Sequence, residues 1–422
     1  MQPKSSQPNQ LRPYQIEGVE KLIDLAGRRG GAILADEPGL GKTIQTAEFI
    51  NRTKPGSVLI VCPASLRINW NQELDHWLNP DALCRVRILS YDAVSRGDAG
   101  DDRCDLAVFD EAHYLKNPRA KRTKACLSLR AGTRLFLTGT PVVNRPMDLF
   151  PILKSLGLKI SRTDFGKRYC AGHLRQISWK PRKFAWDFSG ASHQDELNAA
   201  LRGHCMVRRT KSEVLSELPA KIRQVVELEI PGYDEPASLK TAVARMFDGM
   251  ASAADNLPEL KRIAFDELAS ARLETARKKL PVVLEYLRDL LDEGDKVVVF
   301  AHHREIISSI ATAFPGAVSL VGGMSDGRKD AAVRAFQAGG SPLFVGQIMA
   351  AGTGLTLTAA RTILFAELDW VPGNVTQAED RCHRIGQTLP VRVIHLVSAG
   401  SVDARMVRAL VDKQSVIERI VK

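Results

Sequence analysis

Asp36-Glu37-Pro38-Gly39-Leu40-Gly41-Lys42-Thr43 stands between the apolar run Ala32-Ile33-Leu34-Ala35 and a helical pattern from Ile44 to Asn51. Strand, glycine-rich turn and helix N-terminus in that order make a phosphate cradle. Backbone N–H groups and the helix dipole face the anion, Lys42 reaches the outer phosphates, and the Thr43 hydroxyl can ligate Mg²⁺. The strict pattern has glycine where Asp36 stands, so this loop is a variant. A bare Gly-Lys-Thr is often a chance turn, and its meaning rests on what surrounds it.

Working outward, short and nearly all-apolar runs recur at Ala32–Ala35, Val58–Cys62, Val86–Leu89, Leu106–Phe109 and Arg134–Leu137. Such runs suit parallel strands buried on both faces, and the helical patterns between them make a βαβ series. A second series follows at Val297–Phe300, Val318–Val321, Leu343–Val345, Ile363–Phe365 and Val393–Val397. Its helical patterns are Glu305–Ala313, Arg328–Phe336, Thr376–Arg384 and Val402–Val421. The fold class expected is α/β, two tandem lobes of parallel sheet flanked by helices, with a helical insertion. The boundaries expected are a frayed tail 1–10, a first lobe 11–228 with a basic helical insertion about 145–228, and a second lobe 229–422 that opens with a helical linker to about 295.

Three further stretches carry chemistry. Asp110-Glu111-Ala112-His113 ends a buried strand, where ligands bind in open α/β sheets. Asp110 can hold Mg²⁺, and Glu111 is placed to orient an attacking water. Thr138 and Thr140, in Leu137-Thr138-Gly139-Thr140-Pro141, also close a strand and could bridge a nucleotide site to a neighbouring surface. Arg381 and Arg384 are three apart and predict one helical face, from which two guanidinium groups could neutralise a transferring phosphoryl group. Each stretch alone has a bland reading as a turn or a solvated face. Together, in this order, they imply nucleotide hydrolysis.

Composition narrows the classes. No run of eighteen apolar residues predicts a membrane span. The seven cysteines have no Cys-x-x-Cys spacing, so no structural zinc or redox motif is expected, and free thiols in a reducing cytoplasm are. Net charge is +11. Residues 141–223 hold 16 Lys/Arg against 7 Asp/Glu, a clustered excess that fits a nucleic-acid surface. Trp179, Phe184, Trp186 and Phe188 interleave with Lys180, Arg182 and Lys183, which fits base stacking or the packing of a small insertion.

The ordered set Gln15, Asp36–Thr43, Asp110–His113, Leu137–Pro141, Gly352–Thr356 and Gln377–Gln387 resembles superfamily-two helicase motors. The ending Asp380-Arg381-Cys382-His383-Arg384-Ile385-Gly386-Gln387 is similar to the Swi/Snf-type branch. Trp186-Asp187-Phe188-Ser189-Gly190, Arg208-Arg209-Thr210-Lys211 and Leu218-Pro219-Ala220-Lys221 resemble the HARP-like annealing helicases. The resemblance covers Leu11 to about 415. It implies two RecA-like lobes with ATP and Mg²⁺ in the cleft and duplex DNA across both. It implies Gln15 as the adenine reader, Gly39, Gly41, Lys42 and Thr43 as the phosphate and metal cradle, and Asp110 as the other metal ligand. Glu111 would serve the water, with Arg381 and Arg384 on the γ-phosphate and Arg384 the better finger. His113, Thr138, Thr140 and Gln377 would couple hydrolysis to lobe motion. DNA contacts would fall at Pro63, Ser65, Lys116, Asn117, Thr353, Gly354, Thr356 and Trp370, the last of these equally readable as a packed aromatic. Pro38 departs from the methionine usual in the family. A monomeric, DNA-associated enzyme is expected, in the cytoplasm of a prokaryote or phage host, or in the nucleus if the source is eukaryotic. The alternatives are a chromatin remodeller, an RNA helicase and a non-catalytic DNA-binding scaffold, which differ in what stimulates hydrolysis.

Overall fold

The computed structural model describes residues 10–81, 84–100, 103–139, 145–179, 182–215, 217–230, 258–351, 355–367, 369, 372–399, 401 and 404. The first sheet is built from β1 (Gly31–Leu34), β2 (Ser57–Cys62), β3 (Arg85–Ser90), β4 (Cys104–Asp110), β5 (Ala131–Leu137) and β8 (Met206–Val207). All neighbours are parallel, in the order β3-β2-β4-β5-β1-β8. Alternate residues feed two cores. Ile33, Val61, Phe109 and Phe136 face one layer of helices, and Leu34, Ile60, Val108 and Leu135 face the other. A sheet covered on both faces needs apolar side chains at every position, which is why these strands read as unbroken apolar runs.

The second sheet has the same plan. Its strands are β9 (Lys221–Leu228), β10 (Val297–Ala301), β11 (Val318–Leu320), β12 (Leu343–Gln347), β13 (Thr362–Phe365) and β14 (Val391–Ser398), all parallel in the order β11-β12-β10-β13-β14-β9. Phe300, Phe344 and Phe365 fill one face, and Val299, Leu364 and Ile394 fill the other.

Four expectations are corrected. First, β9 pairs with β14 from Lys221↔Val391 to Leu228↔Ser398, so the second lobe begins before Lys221 rather than after 228. Second, the segment expected as a helical insertion contains an antiparallel hairpin, β6 (His173–Trp179) with β7 (Arg182–Asp187), between short helices. Leu174 and Gln176 share one hairpin face with Phe184 and Trp186, a period of two rather than 3.6. Third, that segment, expected as helix within the first lobe, ends in an unexpected strand, β8, which adds to β1 through Ile33↔Met206 and Leu34↔Val207. Fourth, the helix expected over Thr376–Arg384 is Pro372–Glu379 and stops short of both arginines. There the ladder tightens: Arg381 N–H donates to Ala378 O, and the Arg381 carbonyl accepts Leu357 N–H instead of continuing the helix. The pattern at Val402–Val421 lies, but for Ala404, outside the described residues.

Candidate active site at the lobe interface

The phosphate loop leaves β1 and enters the helix Lys42–Thr53 through two left-handed glycines, Gly39 (φ 91°) and Gly41 (φ 79°). Space demands glycine as much as backbone does. A Cβ on Gly41 would lie 2.4 Å from Gln15 Nε2, and one on Gly39 would lie 3.0 Å from Arg384 Cβ. Lys42 folds back across the loop, its Nζ donating to Asp36 O (2.9 Å) and Glu37 O (3.5 Å). Burial pulls its pKa down against the opposing pull of Glu111, Asp36 and Asp110. Thr43 is partly buried at the second helical position.

Gln15 is buried, and both ends of its amide are held by protein. Its Oε1 accepts Arg12 N–H (2.9 Å), and its Nε2 donates to Leu40 O (3.2 Å). Pro38 has a physical account here. A Cβ on Gly139 would lie 2.6 Å from Pro38 Cγ, so the proline ring rests on bare backbone at the end of β5. Thr138 is buried beside it and donates its N–H to Leu34 O (3.1 Å).

β4 delivers the two carboxylates into different environments. Asp110 accepts Trp70 Nε1–H on Oδ2 (2.8 Å) and Glu111 N–H on Oδ1 (2.9 Å). Burial, then the Glu111 charge, raise its pKa to about 6. Glu111 has φ 52°, a left-handed conformation that costs a residue with a side chain about 1–3 kcal/mol. Its carboxylate lies 3.2 Å from His113 Nδ1, which has no hydrogen-bond partner of good geometry, and takes a long hydrogen bond from Gln377 Nε2 (3.5 Å) of the second lobe. Burial pushes the Glu111 pKa up, but His113, Lys42 and Arg381 outweigh it and hold the carboxyl below its ordinary range. The pair is thus driven apart: Glu111 stays ionised while Asp110 can exchange a proton near neutrality.

The two arginines arrive on the turns after the Pro372–Glu379 helix. Arg381 Nε donates to Gln377 O (2.9 Å), and Glu111 is the foremost negative charge acting on it. Arg384 donates to Thr356 Oγ1 (2.9 Å) and Leu355 O (3.1 Å), so its guanidinium turns toward its own lobe while its Cβ stands against Gly39. Burial, then the like charge of Arg381, lower the Arg384 pKa to about 10, which leaves it cationic at neutral pH.

The segment after β8 was absent from the candidate residues and wires the two lobes together. Asp36 accepts Arg209 N–H (3.0 Å), Arg209 Nε–H (3.1 Å) and Gln45 Nε2–H (2.9 Å), and it is fully buried in an ion pair with that guanidinium. Asp36 therefore replaces the strict glycine in order to anchor Arg209. Arg208 reaches Ala35 O and Gly139 O (3.1 Å). Glu37 Oε2 accepts Lys211 N–H (2.7 Å), and Lys211 Nζ crosses to Asp380 Oδ1 (2.8 Å) and His383 O. Lys221 faces the same Asp380 oxygen at 3.3 Å and Glu379 at 2.8 Å. The signal available in sequence was an acid at the strict glycine position together with the Arg-Arg-Thr-Lys run.

Five of the eight candidate DNA residues fall among the described ones. Pro63 is buried and accepts Leu66 N–H (2.9 Å), so its role here is to end β2. Ser65 lies in the 3-10 turn Ala64–Leu66. Lys116 is partly buried and Asn117 exposed, both after the turn Ala112–Leu115. The Thr356 hydroxyl is engaged by Arg384. Thr353, Gly354, Trp370 and Thr140 lie outside the described residues.

The SNF2-related domain model matches residues 14–96 and 85–237, and the helicase conserved C-terminal domain model matches 279–386. The chain belongs to the SNF2-related family. Within it, the chain is 35% identical over 422 residues to the Xenopus laevis SWI/SNF-related matrix-associated actin-dependent regulator of chromatin subfamily A-like protein 1, covering 93% of this chain and 42% of that one. It is 33% identical over 432 residues to the Homo sapiens DNA annealing helicase and endonuclease ZRANB3, covering 94% and 39%. The chain thus spans about two fifths of the length of these curated relatives. A solved Sulfolobus solfataricus SWI2/SNF2 ATPase core in complex with dsDNA aligns at 27% identity over 98% of this chain and 93% of its own, with TM-score 0.44. The SNF2-related match runs through the phosphate loop, the Asp110–Glu111 pair and Arg208–Lys211. Among the described residues no helix is long and apolar enough to cross a membrane.

Proposed function

We propose that the chain is an ATP-dependent, DNA-stimulated translocase on duplex DNA that remodels or reanneals DNA at forks, bubbles or repair intermediates. One observation carries the ATPase half of this reading. Gln377 and Arg381 of the second lobe face Glu111 of the first, while Arg384 stands against Gly39 of the phosphate loop. A pocket completed across a cleft is the arrangement in which lobe closure and hydrolysis depend on each other. Family membership and the two relatives' names support the DNA half.

The residues fit Mg·ATP. Two left-handed glycines turn the loop where no Cβ would fit, and a cation and a titratable carboxyl lie buried beside it. When bound, Mg·ATP would supply the electrophilic γ-phosphoryl group, with ADP as the leaving group. Lys42 would exchange the Asp36 and Glu37 carbonyls for the outer phosphates, and Thr43 with ionised Asp110 would hold the metal. Glu111, ionised at neutral pH and aimed by His113 and Gln377, orients the water and accepts its hydrogen bond at Oε1 or Oε2. Arg381 and Arg384 add positive charge only while the lobes are closed. Alternating closure then moves the two lobes along phosphates, wherever the cell keeps its DNA, in prokaryotic cytoplasm or in a nucleus.

The deciding experiment is an ATPase panel with single strand, duplex, fork, RNA and nucleosome. Duplex or fork DNA should stimulate most, and stimulation should weaken steeply with salt, by roughly 0.9 log units per log salt for each phosphate neutralised. Stimulation by RNA alone would overturn the reading. A marked preference for nucleosomes over naked DNA would favour the chromatin activity that the Xenopus relative's name carries.

A further inference from the structure

Asp110 has three acceptor oxygens, and each takes a hydrogen bond from within the first lobe. Its backbone carbonyl accepts Tyr91 Oη–H (2.8 Å), Oδ1 accepts Glu111 N–H (2.9 Å) and Oδ2 accepts Trp70 Nε1–H (2.8 Å). Tyr91 and Trp70 are both buried. The Tyr91 bond fixes the backbone, and the other two fix the carboxylate. A carboxylate turns easily about its terminal torsion. A single donor leaves much of that rotation, and donors on both oxygens remove it. The Glu111 donor is the next residue in the chain. Trp70 comes from 40 positions away, on a different element.

Packing alone does not call for an indole at this position. Trp70 lies one turn into the helix Arg67–Trp77. It shares a core with Leu66 and Leu74, and with Phe49 and Ile50 of the helix that begins at Lys42. A phenyl or aliphatic side chain fills apolar space without a polar atom. A buried tryptophan adds an N–H that must find an acceptor. Here the acceptor is the carboxylate at the end of β4, whose charge acts on Lys42 of the phosphate loop. The same indole therefore packs in the core under the helix that carries Thr43 and holds the carboxylate that faces it across the cradle. A carboxylate offers about four lone-pair sites, so the two bonds it accepts leave it able to ligate a metal.

The structure assigns Trp70 as a positioning residue for the metal: its indole N–H sets the rotation of the Asp110 carboxylate, and with it how well Thr43 and Asp110 hold Mg²⁺ together. Mg²⁺ demands near-ideal octahedral geometry, so a ligand free to rotate binds it poorly. Partners that orient a metal ligand are worth about 10- to 100-fold in metal affinity or activity. The inference rests on the Mg·ATP reading and adds to it a residue that touches neither nucleotide nor metal.

The test is calorimetric titration of the full chain with the non-hydrolysable ATP analogue adenylyl imidodiphosphate, in Mg²⁺ and in EDTA. Replacing Trp70 by β-(3-benzothienyl)alanine, in which sulfur takes the place of the N–H, keeps the packing and removes only the donor. Trp70→Phe is the coded counterpart. Leu74→Ala is the packing control, because it loosens the same buried side of the helix and has no donor to offer Asp110. Both Trp70 variants should bind the analogue in EDTA within about twofold of the parent and should lose about tenfold or more of the affinity that Mg²⁺ adds. The Mg²⁺ concentration that half-saturates DNA-stimulated hydrolysis should rise by a similar factor, while duplex affinity stays within about twofold. Leu74→Ala should lower the melting temperature and leave the gain from Mg²⁺ within about twofold. An unchanged gain from Mg²⁺ in the benzothienyl variant overturns the proposal. So does an equal loss in EDTA, or the same loss in Leu74→Ala. If the unsubstituted chain binds the analogue no better with Mg²⁺ than without it, the Mg·ATP reading itself fails, which keeps the two failures apart.

Discussion

Replacing Lys211 by methionine tests whether the two lobes are coupled through the segment after β8. Methionine keeps the buried stem and removes only the ammonium. Unit charges 2.8 Å apart attract by about 6 kcal/mol at an effective dielectric of 20. Burying the ammonium takes back several kcal/mol of that. Burial lowers the Lys211 pKa further than Asp380 restores it, so the lysine gains less from the pair than the carboxylate does. Asp380 is not stranded by the change, because Lys221 stays 3.3 Å away. The net loss to lobe closure is therefore at most about 2–3 kcal/mol, below the roughly 3–5 kcal/mol of a broken lone pair. A loss of that size lowers the closed-to-open ratio about 30- to 150-fold.

The assay is DNA-stimulated ATP hydrolysis at saturating ATP and DNA, beside a thermal melt that certifies the fold. kcat should fall by up to about 30- to 150-fold, the full factor applying where the open form dominates, while the Lys211 N–H to Glu37 contact, a backbone bond, survives and keeps the phosphate loop in place. Asp380→Asn should lower kcat as well, and the double variant should lose less than the sum of the two in free energy. A folded Lys211→Met enzyme with kcat within twofold of the parent, or strictly additive losses, refutes the coupling.

Glu111→Gln should reduce turnover by three orders of magnitude or more and leave duplex affinity within a few-fold, as filter binding would show; loss of both would mean that the residue holds the fold rather than the water. Lys42→Ala should likewise abolish turnover, with nucleotide affinity measured by calorimetry falling most. Asp36→Gly, which restores the strict loop pattern, should destabilise the first lobe by roughly 3 kcal/mol in chemical denaturation, because it takes the carboxylate from a mostly buried Arg209 guanidinium that is left with the neutral acceptors Tyr14 O and Gln45 Oε1; a more stable variant would refute the anchoring role. The raised Asp110 pKa of about 6 means that protons compete with Mg²⁺ as pH falls. Turnover at limiting Mg²⁺ should drop as pH falls through about 6 and recover with excess Mg²⁺, and the sign for folding is opposite: the protonated carboxyl favours the fold, a contribution present below the ordinary carboxylate range and lost as pH rises through about 6. A profile that stays flat through that range at limiting Mg²⁺ would remove Asp110 from the metal site.

Besides the edge strands β3 and β11, the strands legible in sequence were those buried on both faces, since Ile33, Ile60, Val108 and Val299 leave no alternation to mistake. β8 was too short to read, with only Met206 and Val207 in the ladder. β9 lies at the sheet edge, where Ile222 and Val225 stay about half exposed among charges, and its sequence looks like a surface linker. Lys42, Asp110 and Glu111 were legible because each is bound to a strand end by local chain. The three-residue spacing of Arg381 and Arg384 suggested a helix, but it could not show that the Arg381 carbonyl would be taken by Leu357. Contacts between Lys211 and Asp380 span 169 positions, and no local pattern encodes them.

Those contacts also explain how a clasp this buried can open. Asp36 and Arg209 share several hydrogen bonds within one lobe, and nothing in lobe motion asks them to part. Asp380 is different, because it faces two ammoniums, and their charges outweigh its burial and hold its pKa well below the ordinary range. When the lobes separate, Lys221 travels with Asp380 in the second lobe, since β9 pairs with β14. The carboxylate therefore keeps a partner. Only Lys211 must change surroundings, and it moves from a site where burial disfavours its charge into water, where that charge is at home. Opening strands no buried ion, and closing recovers the attraction. The residue that would separate is the one whose exposure costs least, which is what the proposed cycle of closure and opening requires of the Glu37–Lys211–Asp380 path.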